Sequence, residues 1–187
     1  MKKFLIALLA LAMLFCASCS APDATTVASY TLPDGTAQEI EMKLASNTDI
    51  VQYLLYVPST WVIKDQSAST VAYVSEENKT SVSVAQWNLT KEYTTIDAWW
   101  TLVKEDYVKT IPNFTLIEEG TPTTLDGAEA KNYIYTATFS GQVYKYNVVA
   151  SIDQGSIHII TYTSTPELYD NTLAIYKEAI LGSFRFS

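Results

Sequence analysis

Residues 131–163 read KNYIYTATFSGQVYKYNVVASIDQGSIHIITYT, and this stretch decides the fold. It is rich in the aromatic and β-branched residues that favour strands. Its two interruptions, Ser140-Gly141 and Gln154-Gly155, are short enough for two-residue hairpin turns. Three consecutive antiparallel strands are therefore predicted at Lys131–Phe139, Gln142–Ile152 and Ser156–Thr163.

Both faces of this predicted sheet carry apolar side chains. If Phe139 pairs with Gln142, the register places Tyr135 opposite Tyr146 on one face. The other face carries further large apolar residues, namely Ile134, Val143, Val149, Ile160 and Tyr162. A sheet with one solvated face would alternate strictly between apolar and polar residues. We therefore expect helices or a second strand layer to cover at least part of each face.

Upstream of these strands the chain alternates short strand signals with turns. Tyr30–Leu32 and Ala37–Leu44 flank the turn Pro33-Asp34-Gly35, which predicts an opening hairpin. Further short strands are predicted at Gln52–Val57, Val71–Val74, Ser81–Gln86 and Phe114–Ile117.

Two segments have helical spacing. Thr94–Thr110 has apolar residues at three- and four-residue steps, and Thr94 with Asp97 approximates a capping box. A second helix is predicted from Pro166, a good first helical residue, to Gly182. Its apolar stripe consists of Tyr169, Leu173, Tyr176 and Ile180. The tail, Ser183–Phe186, is expected to form a short strand or to dock on the domain.

The order of these elements resembles that of the PsbP-like proteins, a superfamily that includes DcrB-type bacterial lipoproteins and the PsbP subunit of photosystem II. The residues that carry the resemblance are Tyr56–Trp61, Ser81–Val84, Leu125–Ala130 and Ile180–Phe184. The resemblance spans residues 51–186. It implies an α+β fold in which an antiparallel sheet is flanked by helices, an α/β/α sandwich. It also implies an accessory or binding role, and it carries over no catalytic site.

The N-terminus has the three parts of a secretory signal, which are two lysines, an apolar run and small residues. Ala17-Ser18-Cys19 resembles a bacterial lipobox, in which the cysteine is lipidated before cleavage. Cys16 is a weaker candidate because bulky Phe15 precedes it. The alternative is an ordinary secretory signal that is cut near Ser18.

The sequence thus predicts a signal peptide at 1–18, a lipidated Cys19 with a flexible tether over 19–28, and one domain over 29–187. No cysteine follows Cys19, so the domain has no internal disulfide. The formal net charge is −8 and no basic cluster occurs, which argues against binding to nucleic acid. We expect a monomer on the extracytoplasmic face of the cell membrane, held by its lipid.

Residues for catalysis and metal binding are sparse. His158, the sole histidine, lies opposite Ser151 in the predicted register and is expected to be a hydrogen-bonded structural residue. No Gly-x-Ser-x-Gly elbow accompanies it, and one histidine without a free cysteine does not make a zinc site. The adjacent carboxylate pairs, Glu76-Glu77, Glu105-Asp106 and Glu118-Glu119, are expected to be solvated edges. No cofactor, metal or catalytic residue is predicted.

Aromatic residues are the unusual feature, with four Trp and thirteen Tyr. Trp99 and Trp100 are adjacent on a helix and therefore about 100° apart. We expect one of the two to be core and the other marginal. Because Trp100 lies four residues after Ile96 and three before Val103, Trp100 is assigned to the core and Trp99 is the candidate ligand or partner contact.

These observations are compatible with three functions. The first is a membrane-tethered, non-catalytic accessory or binding protein of the cell envelope with an unidentified protein or small-ligand partner. The second is a small-ligand-binding lipoprotein with an aromatic cleft, which a pocket lined by Trp99 or Trp100 would favour. The third is a hydrolase, which converging carboxylates in a cleft would favour.

Overall fold

The computed structural model describes residues 23–75 and 77–187. The predicted signal peptide, Cys19 and Glu76 lie outside these described residues. No helix in the described part of the chain is long and apolar enough to cross a membrane.

The described residues form twelve strands and two helices. The first seven strands are β1 (Thr25–Thr31), β2 (Ala37–Leu44), β3 (Tyr53–Leu54), β4 (Tyr56–Pro58), β5 (Val62–Asp65), β6 (Ser69–Tyr73) and β7 (Ser81–Asn88). Helix α1 (Ile96–Thr110) precedes β8 (Thr115–Leu125), β9 (Ala128–Phe139), β10 (Gln142–Asp153) and β11 (Ser156–Ser164). Helix α2 (Pro166–Ala174) continues through a π-helical segment, Ile175–Ile180, and a last turn, Leu181–Ser183, before β12 (Arg185–Phe186).

The main sheet is antiparallel and has seven strands in the order β5-β6-β7-β11-β10-β9-β8. Its centre confirms the predicted register, since Phe139 pairs with Gln142 and Tyr135 with Tyr146. Both connecting turns have left-handed backbone at two successive residues, Ser140-Gly141 and Gln154-Gly155, as a type I′ hairpin turn requires. Glycine tolerates this conformation at the second position of each turn.

Two hydrophobic cores lie on opposite faces of this sheet, which confirms that both faces are covered. Helix α1 closes the first core over Tyr133, Val148 and Ile159. The C-terminal helix closes the second core over Val149 and Ile160. Val148 and Val149 are neighbours on β10 but lie in different cores, because successive side chains of a strand point to opposite faces of the sheet. The predicted α+β class with helices on both faces is confirmed.

Several predicted boundaries are corrected. β1 begins at Thr25, and Thr25–Ala28 pair with β2 in a separate three-stranded sheet of order β1-β2-β4, so these residues are not part of the tether predicted over 19–28. Their β-branched Thr25, Thr26 and Val27 suit a strand. β8 runs eleven residues to Leu125, well past the predicted end at Ile117. β5 was not predicted.

The strand predicted over Gln52–Val57 is two strands that belong to different sheets. β3 pairs with β12, whereas β4 pairs with β2. Leu55 lies between them, and its backbone N–H donates to the Ser46 hydroxyl at 3.1 Å. This hydrogen bond gives the Leu55 N–H a partner at the point where the chain passes from one sheet to the other.

Candidate functional site

Helix α1 is held on the sheet by a cap and by polar contacts at its sides. Its N-cap is Thr95, whose side-chain oxygen accepts from the Ala98 N–H at 3.2 Å, so the predicted cap at Thr94 is one residue too early. Asp97 in the first turn binds the Lys131 ammonium of β9 at 2.6 Å. Such a carboxylate also interacts favourably with the positive end of the helix dipole.

Both tryptophans of α1 are buried, Trp99 at 3% and Trp100 at 4% exposure, so the predicted division into a core and a marginal ring is wrong. Trp100 stacks on Tyr133 with 4.1 Å between ring centres, and its indole N–H donates to Glu119 at 2.9 Å. Trp99 lies beside it at 6.0 Å. A helix lying on a sheet buries an arc of about 100° or more, which is wide enough for two adjacent residues.

A cleft of about 170 Å³ opens beside α1, above strands β7 and β11. We call it the aromatic cleft, and its lining consists of Ser83, Ala85, Trp87, Trp99, Trp100, Tyr107, Val148, Ile159 and Thr161. Trp87 is 49% exposed. The buried indole N–H of Trp99 has no hydrogen-bond partner among the described residues. The aromatic cleft therefore offers apolar ring surfaces, and one of its lining residues, Trp99, carries an unused donor.

The tyrosines behind this cleft have raised pKa values. Burial raises the pKa of the Tyr133 phenol, and burial with the neighbouring Tyr107 raises that of Tyr135. Both phenols therefore stay neutral at physiological pH. Neutral phenols and apolar ring surfaces thus surround the aromatic cleft.

A second cleft, of about 470 Å³, lies on the opposite face of the sheet, between the C-terminal helix and strands β8 to β10. We call it the polar cleft. Its lining includes the charged or amide side chains Glu118, Asp126, Asn132, Asn147, Lys177 and Arg185. Asn132 donates to Glu118 at 2.9 Å. This hydrogen bond, with smaller contributions from Thr121 and Lys177, lowers the pKa of the Glu118 carboxyl, so Glu118 is ionised.

The carboxylates of the pair Glu118-Glu119 face opposite sides of β8, as expected for neighbours on a strand. Glu119 binds Lys104 at 2.7 Å and the Trp100 indole, and these two contacts lower its pKa. Glu118 lines the polar cleft, so it is more than the solvated edge that was predicted. The described residues contain no group of three or more histidine, cysteine or acidic side chains arranged to hold a metal ion.

His158 is buried, with 1% of its surface exposed, but it is not hydrogen-bonded as predicted. Its ring packs against the rings of Tyr53, Phe184 and Phe186 at 5.0 to 6.1 Å. The Ser151 hydroxyl opposite it donates to the Glu129 carbonyl. His158 therefore has neither the orienting carboxylate nor the nucleophile of a catalytic triad within hydrogen-bond reach.

Stability should fall as the pH drops below about 6.5 because of His158. Burial lowers the pKa of this imidazole from its ordinary value of 6.5, with partial opposition from Asp153. Below that value the unfolded chain binds a proton that the folded chain resists, which costs at most about 1.4 kcal/mol per pH unit. Urea unfolding between pH 7.5 and 5.5 should show this loss in the wild type and a flatter profile in His158→Leu. An identical pH dependence of the unfolding free energy in the two proteins would contradict this prediction.

Sequence comparisons find no match. No family model matches the chain, and no curated protein matches it either.

Solved structures with this fold do exist. The cyanobacterial PsbP protein CyanoP from Synechocystis aligns with TM-score 0.58 and 14% identity, over 78% of this chain and 92% of its own. LpqN of Mycobacterium tuberculosis, which is involved in cell envelope biogenesis, aligns with TM-score 0.54 and 15% identity, over 79% and 91%. The Ran-binding protein Mog1p of Saccharomyces cerevisiae aligns with TM-score 0.54 and 11% identity, over 79% and 96%. The PsbP-like fold implied by the sequence is thereby confirmed.

Proposed function

We propose that this protein is a membrane-tethered, non-catalytic binding protein of the cell envelope that receives a ring-sized group of its partner in the aromatic cleft. The observation that carries the proposal is the unused indole donor of Trp99 at a cleft walled by aromatic rings. Interfaces commonly derive most of their binding energy from a few side chains that insert into such pockets.

The size of the aromatic cleft favours one ring over a whole ligand. Its volume of about 170 Å³ is below the range of roughly 300–1,000 Å³ that is usual for small-molecule pockets. An apolar cavity of about 150 Å³ does hold a benzene-sized molecule. A ring that carries a hydrogen-bond acceptor would also pair with the Trp99 N–H. Without such a partner, this buried donor lowers the stability of the protein.

The lining of the aromatic cleft supports binding without catalysis. It contains two hydroxyl side chains, Ser83 and Thr161, and the Tyr107 phenol, but no carboxylate, histidine or lysine. A nucleophile without a nearby base is not activated.

The membrane tether is proposed from the lipobox at Cys19. Five residues, Ser20 to Ala24, separate this cysteine from the start of β1. An extended chain of five residues spans at most about 18 Å, so the domain would stay close to the membrane surface. The shared fold with LpqN, a protein of cell envelope biogenesis, supports an envelope location.

N-acetyl-tyrosinamide should bind in the aromatic cleft, because its ring fits the cleft and its hydroxyl oxygen can accept from Trp99. In NMR spectra of the mature protein, titration should shift the indole N–H resonance of Trp99 and leave that of Trp61, which is buried in the other core. N-acetyl-alaninamide, which lacks the ring, should shift neither.

Ala85→Leu provides the matched variant, because a larger side chain at this lining position fills the cleft. It should abolish the Trp99 shift while the protein remains folded. A Trp99 resonance that does not respond to the tyrosine probe, or that responds equally in Ala85→Leu, would refute the aromatic cleft as the binding site.

A further inference from the structure

The polar cleft contains a buried amide that the fold does not use. Asn147 of β10 lies on its floor with 1% of its surface exposed, and neither its side-chain nitrogen nor its oxygen makes a hydrogen bond of acceptable geometry among the described residues. The lining residues Val149 and Leu181 are apolar, and the nearby Tyr169 hydroxyl, whose pKa is raised by burial and lowered in part by the Asn147 side chain, likewise makes no hydrogen bond of acceptable geometry. Buried polar groups are almost always satisfied, so an unused amide that lines a cleft points to a bound molecule.

The two walls of the polar cleft carry opposite charges. Glu118 of β8 is on the sheet side, and Lys177 of the π-helical segment is on the helix side. They form no ion pair with each other, and Lys177 has neither a hydrogen bond nor an ion pair with any described residue. The pKa of Glu118 is lowered chiefly by the Asn132 hydrogen bond and to a smaller extent by the nearby Lys177 ammonium, which makes no ion pair with it. A gap therefore separates this ammonium from a carboxylate held in place by Asn132.

The other two charges of the polar cleft are engaged in fixing the C-terminal tail. Arg185 lies 3.5 Å from Asp126 and donates to the carbonyls of Gly182 and Phe184 at 2.7 and 2.6 Å. Asp126 also accepts from the Phe186 N–H at 3.0 Å. Glu118 and Lys177 are thus the charges that remain for a ligand.

From this arrangement we propose that the polar cleft binds a small zwitterion, a free α-amino acid. Its ammonium would pair with Glu118 and its carboxylate with Lys177, as charge-assisted hydrogen bonds. A plain anion would meet the Glu118 carboxylate, and a plain cation would meet Lys177, so neither uses both walls. Asn147 offers a donor and an acceptor at the floor. Val149 and Leu181 would contact an apolar side chain, and the volume of about 470 Å³ accommodates one.

Calorimetric titration of the mature protein in detergent micelles with each of the common L-amino acids tests this inference. At least one should bind at millimolar concentration or below. The tightest amino acid is then compared with its two analogues that lack the amino or the carboxyl group. Each analogue should bind about tenfold more weakly, since each loses one charge-assisted contact.

Three variants assign the site, and each should weaken binding of that amino acid about tenfold or more. Glu118→Gln and Lys177→Met each remove one charge, and Asn147→Leu removes the amide with little change in volume. Lys104→Met is the matched control, because this lysine pairs with Glu119 on the other face of the sheet, and it should bind like the wild type.

Failure of all amino acids to bind at millimolar concentration would overturn the inference. So would equal affinity for the analogue without its amino group, which would mark an anion site, or unchanged affinity in the Glu118 and Lys177 variants. These outcomes do not bear on the aromatic cleft. It lies on the opposite face of the sheet, and its binding is measured separately by the shift of the Trp99 indole resonance.

Discussion

Trp100→Ala should lower the free energy of unfolding by about 3–5 kcal/mol, the usual cost of removing a large aromatic side chain from a core. The substitution deletes the stacking on Tyr133 at 4.1 Å and the hydrogen bond from the indole to Glu119. It would also leave a cavity under α1 that the rigid sheet cannot fill. Denaturant melts of the mature protein give the difference directly.

Trp99→Ala should lower the free energy of unfolding by a similar amount, because Trp99 is as deeply buried as Trp100. This replaces the sequence-based assignment of Trp100 to the core and Trp99 to its margin, under which Trp100→Ala would destabilise more than Trp99→Ala. Trp87→Ala is the matched control. Its ring is half-exposed, so its removal should cost less than about 1 kcal/mol. A loss for Trp99→Ala as small as that for Trp87→Ala would contradict the structure of this core.

The three central strands could be predicted because their register depends on residues that are close together in the sequence. A two-residue turn fixes which residues of a hairpin face each other, and alternation then assigns every side chain to a face. The pairing of Phe139 with Gln142 therefore set the register of β9 on β10, and His158 was correctly placed opposite Ser151. Two apolar faces followed from the same register, and they predicted a cover of helices or strands over at least part of each face.

The sites were harder to predict because they depend on contacts between distant segments. β8 was expected to end at Ile117, one residue before Glu118, so the wall of the polar cleft was not recognised as part of the sheet. Lys177 reaches the same cleft from a helix that lies 59 residues further along the chain. Burial of Trp99 likewise depends on how widely α1 contacts the sheet, which helical spacing alone does not specify.

His158 shows a further limit of sequence reasoning. Its strand position was correct, and a structural role was the right expectation, but a buried histidine was assumed to have a hydrogen-bond partner. Its neighbours are instead three aromatic rings, two of which come from the C-terminal tail and one from β3. These segments meet through the pairing of β12 with β3, and no local pattern in the sequence indicates that pairing.

Cys19→Ala should abolish lipidation and leave an unprocessed precursor. Attachment of diacylglycerol needs the cysteine sulfur, and lipoprotein cleavage follows that step, so alanine blocks both. The wild type should yield a mature N-terminus at Cys19 that carries acyl chains. Each buried methylene of those chains contributes about 0.8 kcal/mol to membrane binding, and two chains hold a protein stably where one does not. Mass spectrometry of the N-terminal peptide distinguishes the two results.

Cys16→Ala is the control that separates the two cysteines of the signal region. Cys16 follows Phe15, whose bulky ring does not suit the small-residue position before a lipidated cysteine, and Cys19 follows Ala17 and Ser18. Cys16→Ala should therefore be processed and acylated like the wild type. A wild-type protein cut near Ser18 without any acyl mass would instead identify an ordinary secretory signal, and the aromatic cleft would then belong to a protein that is released and not tethered.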